Sequence, residues 1–264
     1  MTAAIAEQIA DRIEADTRAR KNFEPLRIDG RALTLAEAYA IQAEIVTRAQ
    51  ARGAGAVIGY KVGLTSAAMQ KFCGVAEPVV GRILRQRVRH NGSTLPLNQF
   101  HRLGLESELV LRVGKAVPVL PEDADPNELL DCIDAIATGF EIVEDRNADY
   151  QHLDGFSIIA ENSWNMGMVL GTPVPVVGRR DLATLEGNLY INDALVGTAS
   201  SADVMQGPLS VLAWLARFTR TMGFDLQPGQ WIMTGSIIPT QFAKSPQHFR
   251  FELGDLAPVE VTVE

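Results

Sequence analysis

The chain has 264 residues, 47% hydrophobic and 21% charged, enough apolar material to bury a substantial core in one domain or in a small and a large one. Its formal net charge of -8 argues against nucleic acid or an anionic membrane as partner, since both call for a basic face. No stretch approaches the roughly 20 uninterrupted apolar residues that cross a bilayer. Cys73 and Cys132 stand in no metal-ligand spacing and follow no secretory signal, so a soluble protein of the cytoplasm is expected.

In chain order, Thr2 is placed to cap a first helix whose Ile5, Ile9 and Ile13 form one apolar stripe. Thr34 and Glu37 have capping-box spacing and open a second helix that stops at Gly53. These predict a small helical N-terminal region, residues 1–55, ahead of a main domain, residues 56–264. Ala56 to Val62 reads as a strand with Lys61 among apolar neighbours. Thr65 or Ser66 caps a short helix to about Phe72, and Pro78 to Leu84 is extended. Leu103 to Val113 is an apolar strand, and Asp125-Pro126 starts a helix predicted to run to Ala137 and stop at Gly139. Phe140 to Glu144 follows as a strand. Leu185–Ile191 and Ala194–Ala199 form a hairpin about Asn192-Asp193, Pro208 to Met222 is a helix ended by Gly223, and three short strands close the chain. Many short strands between few helices predict an α+β fold, a mixed sheet coiled into a roll, rather than a doubly wound sheet.

Chemistry concentrates on the 103–113 strand. Side chains alternate between faces, so Glu106 and Glu108 are neighbours on one side, where mutual repulsion invites a cation. A half-solvated acidic face is the plainer reading of Glu-x-Glu taken alone. Glu141, on a second apolar strand, adds a third acid. Three carboxylates without a nearby histidine or cysteine form an oxygen-only ligand set suited to Mg²⁺ or Mn²⁺. Lys61 is placed to balance the remaining charge, with desolvation lowering its pKa toward a value useful in proton transfer; a lysine snorkelling at a sheet edge is the alternative. His90, His101, His152 and His248 lack zinc spacing and read as surface or loop residues, His101 standing close enough to border the Glu106 strand. The glycines from Gly53 to Gly59 imitate a dinucleotide fingerprint but precede a strand instead of following one.

Gly59-Tyr60-Lys61-Val62-Gly63-Leu64-Thr65-Ser66, Glu106-Ser107-Glu108, Phe140-Glu141-Ile142-Val143, Ala160-Glu161-Asn162, Ala213-Trp214-Leu215-Ala216 and Thr234-Gly235-Ser236 stand in unbroken order. Together they resemble the 2-oxopent-4-enoate hydratase and 4-oxalocrotonate decarboxylase family, a branch of the fumarylacetoacetate hydrolase superfamily. The resemblance implies a β-roll core, a Mg²⁺ or Mn²⁺ on Glu106, Glu108 and Glu141, Lys61 as acid or base, and Ser236 as a substrate-binding residue. It implies a 2-oxo or 2-hydroxy carboxylate substrate in the meta-cleavage catabolism of aromatic rings, a homo-oligomer, and association with a sequential pathway enzyme. Hydration of a 2-hydroxy-2,4-dienoate is the first expectation and decarboxylation of a 2-oxo-enedioate the second. Hydrolysis of an acylpyruvate, or a non-catalytic partner subunit, comes third. One run departs from the hydratases: Glu77-Pro78-Val79-Val80-Gly81-Arg82 stands where they carry an acidic Pro-Asp turn. Arg82 there is a candidate donor to a second, distal substrate carboxylate.

Overall fold

The computed structural model describes residues 2–178 and 181–264. Helix α1 (Ala3–Arg18) buries Ala6, Ile9, Ala10 and Ile13, the face that the isoleucine spacing predicts, although Thr2 makes no side-chain cap bond. In α2 (Leu35–Ala49) the Thr34 hydroxyl accepts from the Glu37 amide while the Glu37 carboxylate accepts from the Thr34 amide, the reciprocal box. A wide turn, Gln50–Ala54, then ends the helix where Gly53 takes φ 90°.

Strand β1 (Val57–Gly63) leads to α3 (Ala67–Cys73), which Ser66 caps and a left-handed Gly74 terminates. Strands β2 (Val79–Leu84), β3 (Leu103–Val113) and β4 (Ile133–Glu144) follow. Here one expectation fails. The helix predicted to reach Ala137 is a 3-10 helix ending at Cys132, and Ile133 already belongs to β4. Its partner β3 offers eleven residues of backbone to satisfy, and Ile133, Ile136 and Thr138 are β-branched residues that suit a strand packed on both faces. Gly139 is therefore a mid-strand residue, not a helix stop.

Helix α4 (Gly155–Ala160) precedes β5 (Asn165–Leu170). The hairpin β6 (Glu186–Ile191) and β7 (Ala194–Ser200) turns through Asn192 and Asp193, at φ 49° and 64° as a primed two-residue turn requires. Helix α5 (Pro208–Thr221) is followed by β8 (Trp231–Met233), β9 (Ile238–Phe242), β10 (Gln247–Leu253) and β11 (Val259–Val263). Strand β9 escapes the sequence reading because Pro239, Thr240 and Gln241 break its apolar pattern.

The larger sheet runs β2-β1-β8-β3-β4-β5, extended by Val88–His90, and β9 adds a second pairing to β3. The smaller runs β7-β6-β10-β11 and then Ser93–Leu95, and neither closes on itself. They meet through fully buried aromatics, with Phe140 and Phe251 ring centroids 6.2 Å apart. The N-terminal helices share this core: Ile13 and Ile41 belong to the same apolar cluster as Leu105, Phe140 and Phe251. Polar ties reinforce the junction, since buried Gln42 donates to the carbonyls of Val80 and Ile159, and Tyr39 accepts from the Val80 amide. Both cysteines are buried and free.

Candidate metal centre

The antiparallel pairing of β3 with β4 sets Glu106 directly across from Glu141 and Glu108 across from Gly139. All three carboxylates thus converge on one face, each offering an oxygen within 4.8 Å of the others. Glu108 and Glu141 are fully buried. Val110, next on that face, packs with Ile83, Met168 and Met233, an apolar wall that keeps water from one end of the cluster.

Each carboxylate is pinned through one oxygen. Thr240 Oγ1 on β9 donates to Glu106 Oε1 at 2.5 Å, the Gly235 amide to Glu108 Oε2 at 2.8 Å, and Asn165 Nδ2 to Glu141 Oε1 at 2.9 Å. Glu108 Oε1 and Glu141 Oε2 are buried without any hydrogen-bond partner. Such orphaned acceptors cost about 1–3 kcal/mol each, and more when charged, unless something positive occupies the space between them. A hard divalent cation fits this all-oxygen donor set, and its second shell is already in place.

Electrostatics lead to the same conclusion. Burial first, then the charges of Glu141 and Glu106, push the Glu108 carboxyl well above its usual range. Burial likewise lifts Glu141, to about 7, against the pull of Lys61. Lys61 Nζ stands 3.3 Å from Glu141 Oε1 and is almost wholly buried, so it is no snorkelling residue. The expected downward shift of Lys61 is not found. Desolvation does act downward, but the fields of Glu141, Glu106 and Glu108 together outweigh it and raise the ammonium above its ordinary value. A cation held among the carboxylates would offset that field. Space for the lysine comes from missing side chains: a Cβ at Gly81 would lie 3.1 Å from Lys61 Cγ and 2.7 Å from the Asn162 carbonyl, and one at Gly63 would lie 2.9 Å from Nζ.

Beside the cluster is a cavity of about 110 Å³. Lys61, Glu106 and Thr240 form its polar end, while Leu64, Met69, Val79, Leu153 and Trp164 are among its apolar walls. Ser163 and Trp164 reach it from a turn in which Asn162, Ser163 and Trp164 take φ of 54°, 51° and 59° in succession. Left-handed backbone costs roughly 1–2 kcal/mol per non-glycine residue and must be held. Asn162 holds it by accepting from the Arg82 amide and donating to the Arg82 carbonyl, and Ser163 Oγ donates to the Val80 carbonyl.

Two residues expected at the substrate do not reach this cavity. Strand β2 pairs Gly81 with Lys61, so Arg82 points to the opposite face with Tyr60, where its Nη1 donates to Gln42 Oε1. Ser236 Oγ accepts from the Ser107 amide and donates to the Ile238 carbonyl, fastening β3 to β9. His101 also stays outside, its amide bound to Glu144. Conversely, Thr240, Asn165, Ser163 and Trp164 escaped the sequence reading. Only Asn162 gave a local signal, because asparagine is the residue after glycine that most readily adopts positive φ.

Residues 68–264 match the family described as fumarylacetoacetate (FAA) hydrolase C-terminal. The chain belongs to that family. Members similar over nearly its whole length include the 2-oxo-hept-4-ene-1,7-dioate hydratase of Escherichia coli, 27% identical over 95% of both chains. The 2-keto-4-pentenoate hydratase of Paraburkholderia xenovorans is 28% identical, covering 100% of this chain and 97% of its own. In fold the chain superposes on the 4-oxalocrotonate decarboxylase of Pseudomonas putida G7, solved with magnesium and adipate, with a TM-score of 0.90 at 23% identity over 100% of this chain and 99% of that one. Among the described residues no helix is long and apolar enough to cross a membrane.

Proposed function

We propose that the protein is a metal-dependent lyase that adds water to a short 2-hydroxy-2,4-dienoate, giving a 4-hydroxy-2-oxo acid. The observation that carries this reading is the pair of orphaned carboxylate oxygens on Glu108 and Glu141, clustered with Glu106, which lines a small cavity together with the buried Lys61. Glu106, Glu108 and Glu141 would hold Mg²⁺ or Mn²⁺. When bound, the ion supplies Lewis acidity to the carboxylate and 2-oxygen end of the substrate.

The chain's own residues do the rest. Thr240, Gly235 and Asn165 fix the ligand oxygens before substrate arrives, so little reorganisation is needed during reaction. With Glu106 engaged as a ligand, Lys61 Nζ is the group at the polar end that holds and releases a proton, and its contact with Glu141 orients it. In ketonisation and hydration it passes that proton to or from the carbon chain, while Leu64, Met69, Val79 and Trp164 limit water to what the cavity admits. At about 110 Å³ the cavity is far smaller than the roughly 300 Å³ at which drug-sized sites begin, which suits a chain of few carbons.

The apolar walls and the outward course of Arg82 favour a substrate tail without a second carboxylate, and so favour hydration over decarboxylation of a 2-oxo-enedioate. The similarity to the 2-keto-4-pentenoate and 2-oxo-hept-4-ene-1,7-dioate hydratases supports hydration as the reaction. A place in meta-cleavage catabolism, a cytoplasmic setting, a homo-oligomer and association with a sequential pathway enzyme belong to this proposal too.

Purified protein with Mg²⁺ should consume 2-hydroxypenta-2,4-dienoate with uptake of water and release no CO₂ from 4-oxalocrotonate. Release of CO₂ without hydration would replace the proposal with the decarboxylase reading, and no turnover of either substrate would overturn both.

A further inference from the structure

A second cavity, of about 410 Å³, opens on the other side of the 162–165 turn, between that turn and the first two helices. Ile13, Ile45, Ala49, Trp164 and Met166 give it apolar walls. Trp164 and the turn that carries it divide this space from the catalytic cavity. Its size lies in the range of small-molecule sites, about 300–1,000 Å³.

Its charges are unevenly matched. Glu14 is bound by Arg52 at 2.8 Å and approached by Arg48 and Arg18. Glu161 is held by both arms of Arg146, and Glu144 accepts from the amides of His101, Arg102 and Arg146. Every acid lining the cavity is therefore satisfied. Arg87 is not: among the described residues no carboxylate pairs with it, and its Nη1 finds only the Asn165 carbonyl at 3.3 Å and Met166 Sδ at 3.8 Å. Desolvation, with the nearby charge of Arg52, disfavours its charged state. A guanidinium is a five-donor fork matched to a carboxylate, and one set in an apolar wall without a counter-ion leaves a place for an anion with an apolar body.

We propose that this cavity is a binding site, separate from the catalytic one, for an organic monocarboxylate whose apolar body packs on Ile13, Ile45 and Met166 while its carboxylate pairs with Arg87. The inference does not depend on the reaction proposed above. Benzoate is a suitable probe because it is rigid and loses little conformational freedom on binding.

Thermal melting should be followed in excess EDTA, so that no metal draws the probe to the catalytic carboxylates. Benzoate at tenfold its dissociation constant should raise Tm by about 1–5 °C, neutral benzamide should not, and Arg87→Gln should abolish the rise. Arg87→Lys, which keeps the charge but not the fork, should retain a weakened response. A response to benzamide equal to that to benzoate, or one that survives in Arg87→Gln, would overturn the assignment. So would the absence of any response, including the case in which Arg87→Gln instead dissociates an oligomer in sedimentation, which would assign the cavity to a contact between copies of this chain.

Discussion

Replacing Glu108 with Gln separates a metal ligand from a structural acid. Its Oε2 accepts from the Gly235 amide, a role that the glutamine carbonyl can keep, whereas the orphaned Oε1 would become an NH₂ facing two carboxylates. At separations up to 4.8 Å, two ionised carboxylates repel by about 3 kcal/mol or more at an effective dielectric constant near 20. Glu108→Gln removes two of the three repulsions and supplies a donor. Lys61 and partial protonation already relieve part of this strain, so the gain in the metal-free chain should fall near the 1–4 kcal/mol typical of removing poorly compensated buried charge. Melting curves in EDTA should therefore place the variant above the parent at pH 7.5. With Mg²⁺ at a hundredfold its dissociation constant, the parent should gain about 2.7 kcal/mol and the variant almost nothing, so the gap between the two closes or reverses. A variant that melts below the parent in EDTA and still responds fully to Mg²⁺ would refute the reasoning.

Lys61→Met should keep the fold and the Mg²⁺-dependent rise in Tm while lowering kcat by about 10²- to 10⁴-fold; a variant that loses activity only through unfolding would make Lys61 a structural residue. Glu141 titrates near 7 when folded against an ordinary value of 4.5, so the folded metal-free chain retains a proton that the unfolded chain has released. Its contribution, complete below pH 4.5, should then disappear as pH rises to about 7, by up to ~3 kcal/mol; urea midpoints of the parent and Glu141→Gln in EDTA should diverge across that window and not above it. Thr240→Val frees Glu106 Oε1 and should weaken Mg²⁺ binding by roughly 10- to 100-fold in calorimetry, with little change in the metal-free Tm. Gly81→Ala forces a methyl group to 2.7 Å from the Asn162 carbonyl and should lower stability by about 1–3 kcal/mol in urea melts.

The acids and the lysine were legible in the sequence because a charged residue in an apolar strand contradicts its surroundings. The alternation of Glu106 and Glu108 needed only the period of a strand. What holds them was not legible. Thr240 lies on a strand whose proline hides its pattern, and Asn165 reaches Glu141 across a sheet pairing that no local spacing encodes. Arg82 shows the limit from the other side. It is a chemically apt candidate beside the expected turn, but the antiparallel register with Lys61 gives the inward position to Gly81. The 125–137 segment departs from its expected helix for a related reason. Its capping signals were real, yet the eleven-residue edge of β3 captured the chain five positions before the expected helix end.

The register that sets Glu106 across from Glu141 also makes the ion an inspector of folding. Displacing β4 by a single residue would carry Glu141 to the reverse face, disperse the three carboxylates and expose apolar side chains in their place. A shifted sheet has nothing to offer a divalent cation, whereas the correct one relieves two stranded oxygens when the ion arrives. Metal added during refolding should thus draw the population out of mispaired forms, and a cell short of the metal should accumulate chains that are miswoven as well as inactive.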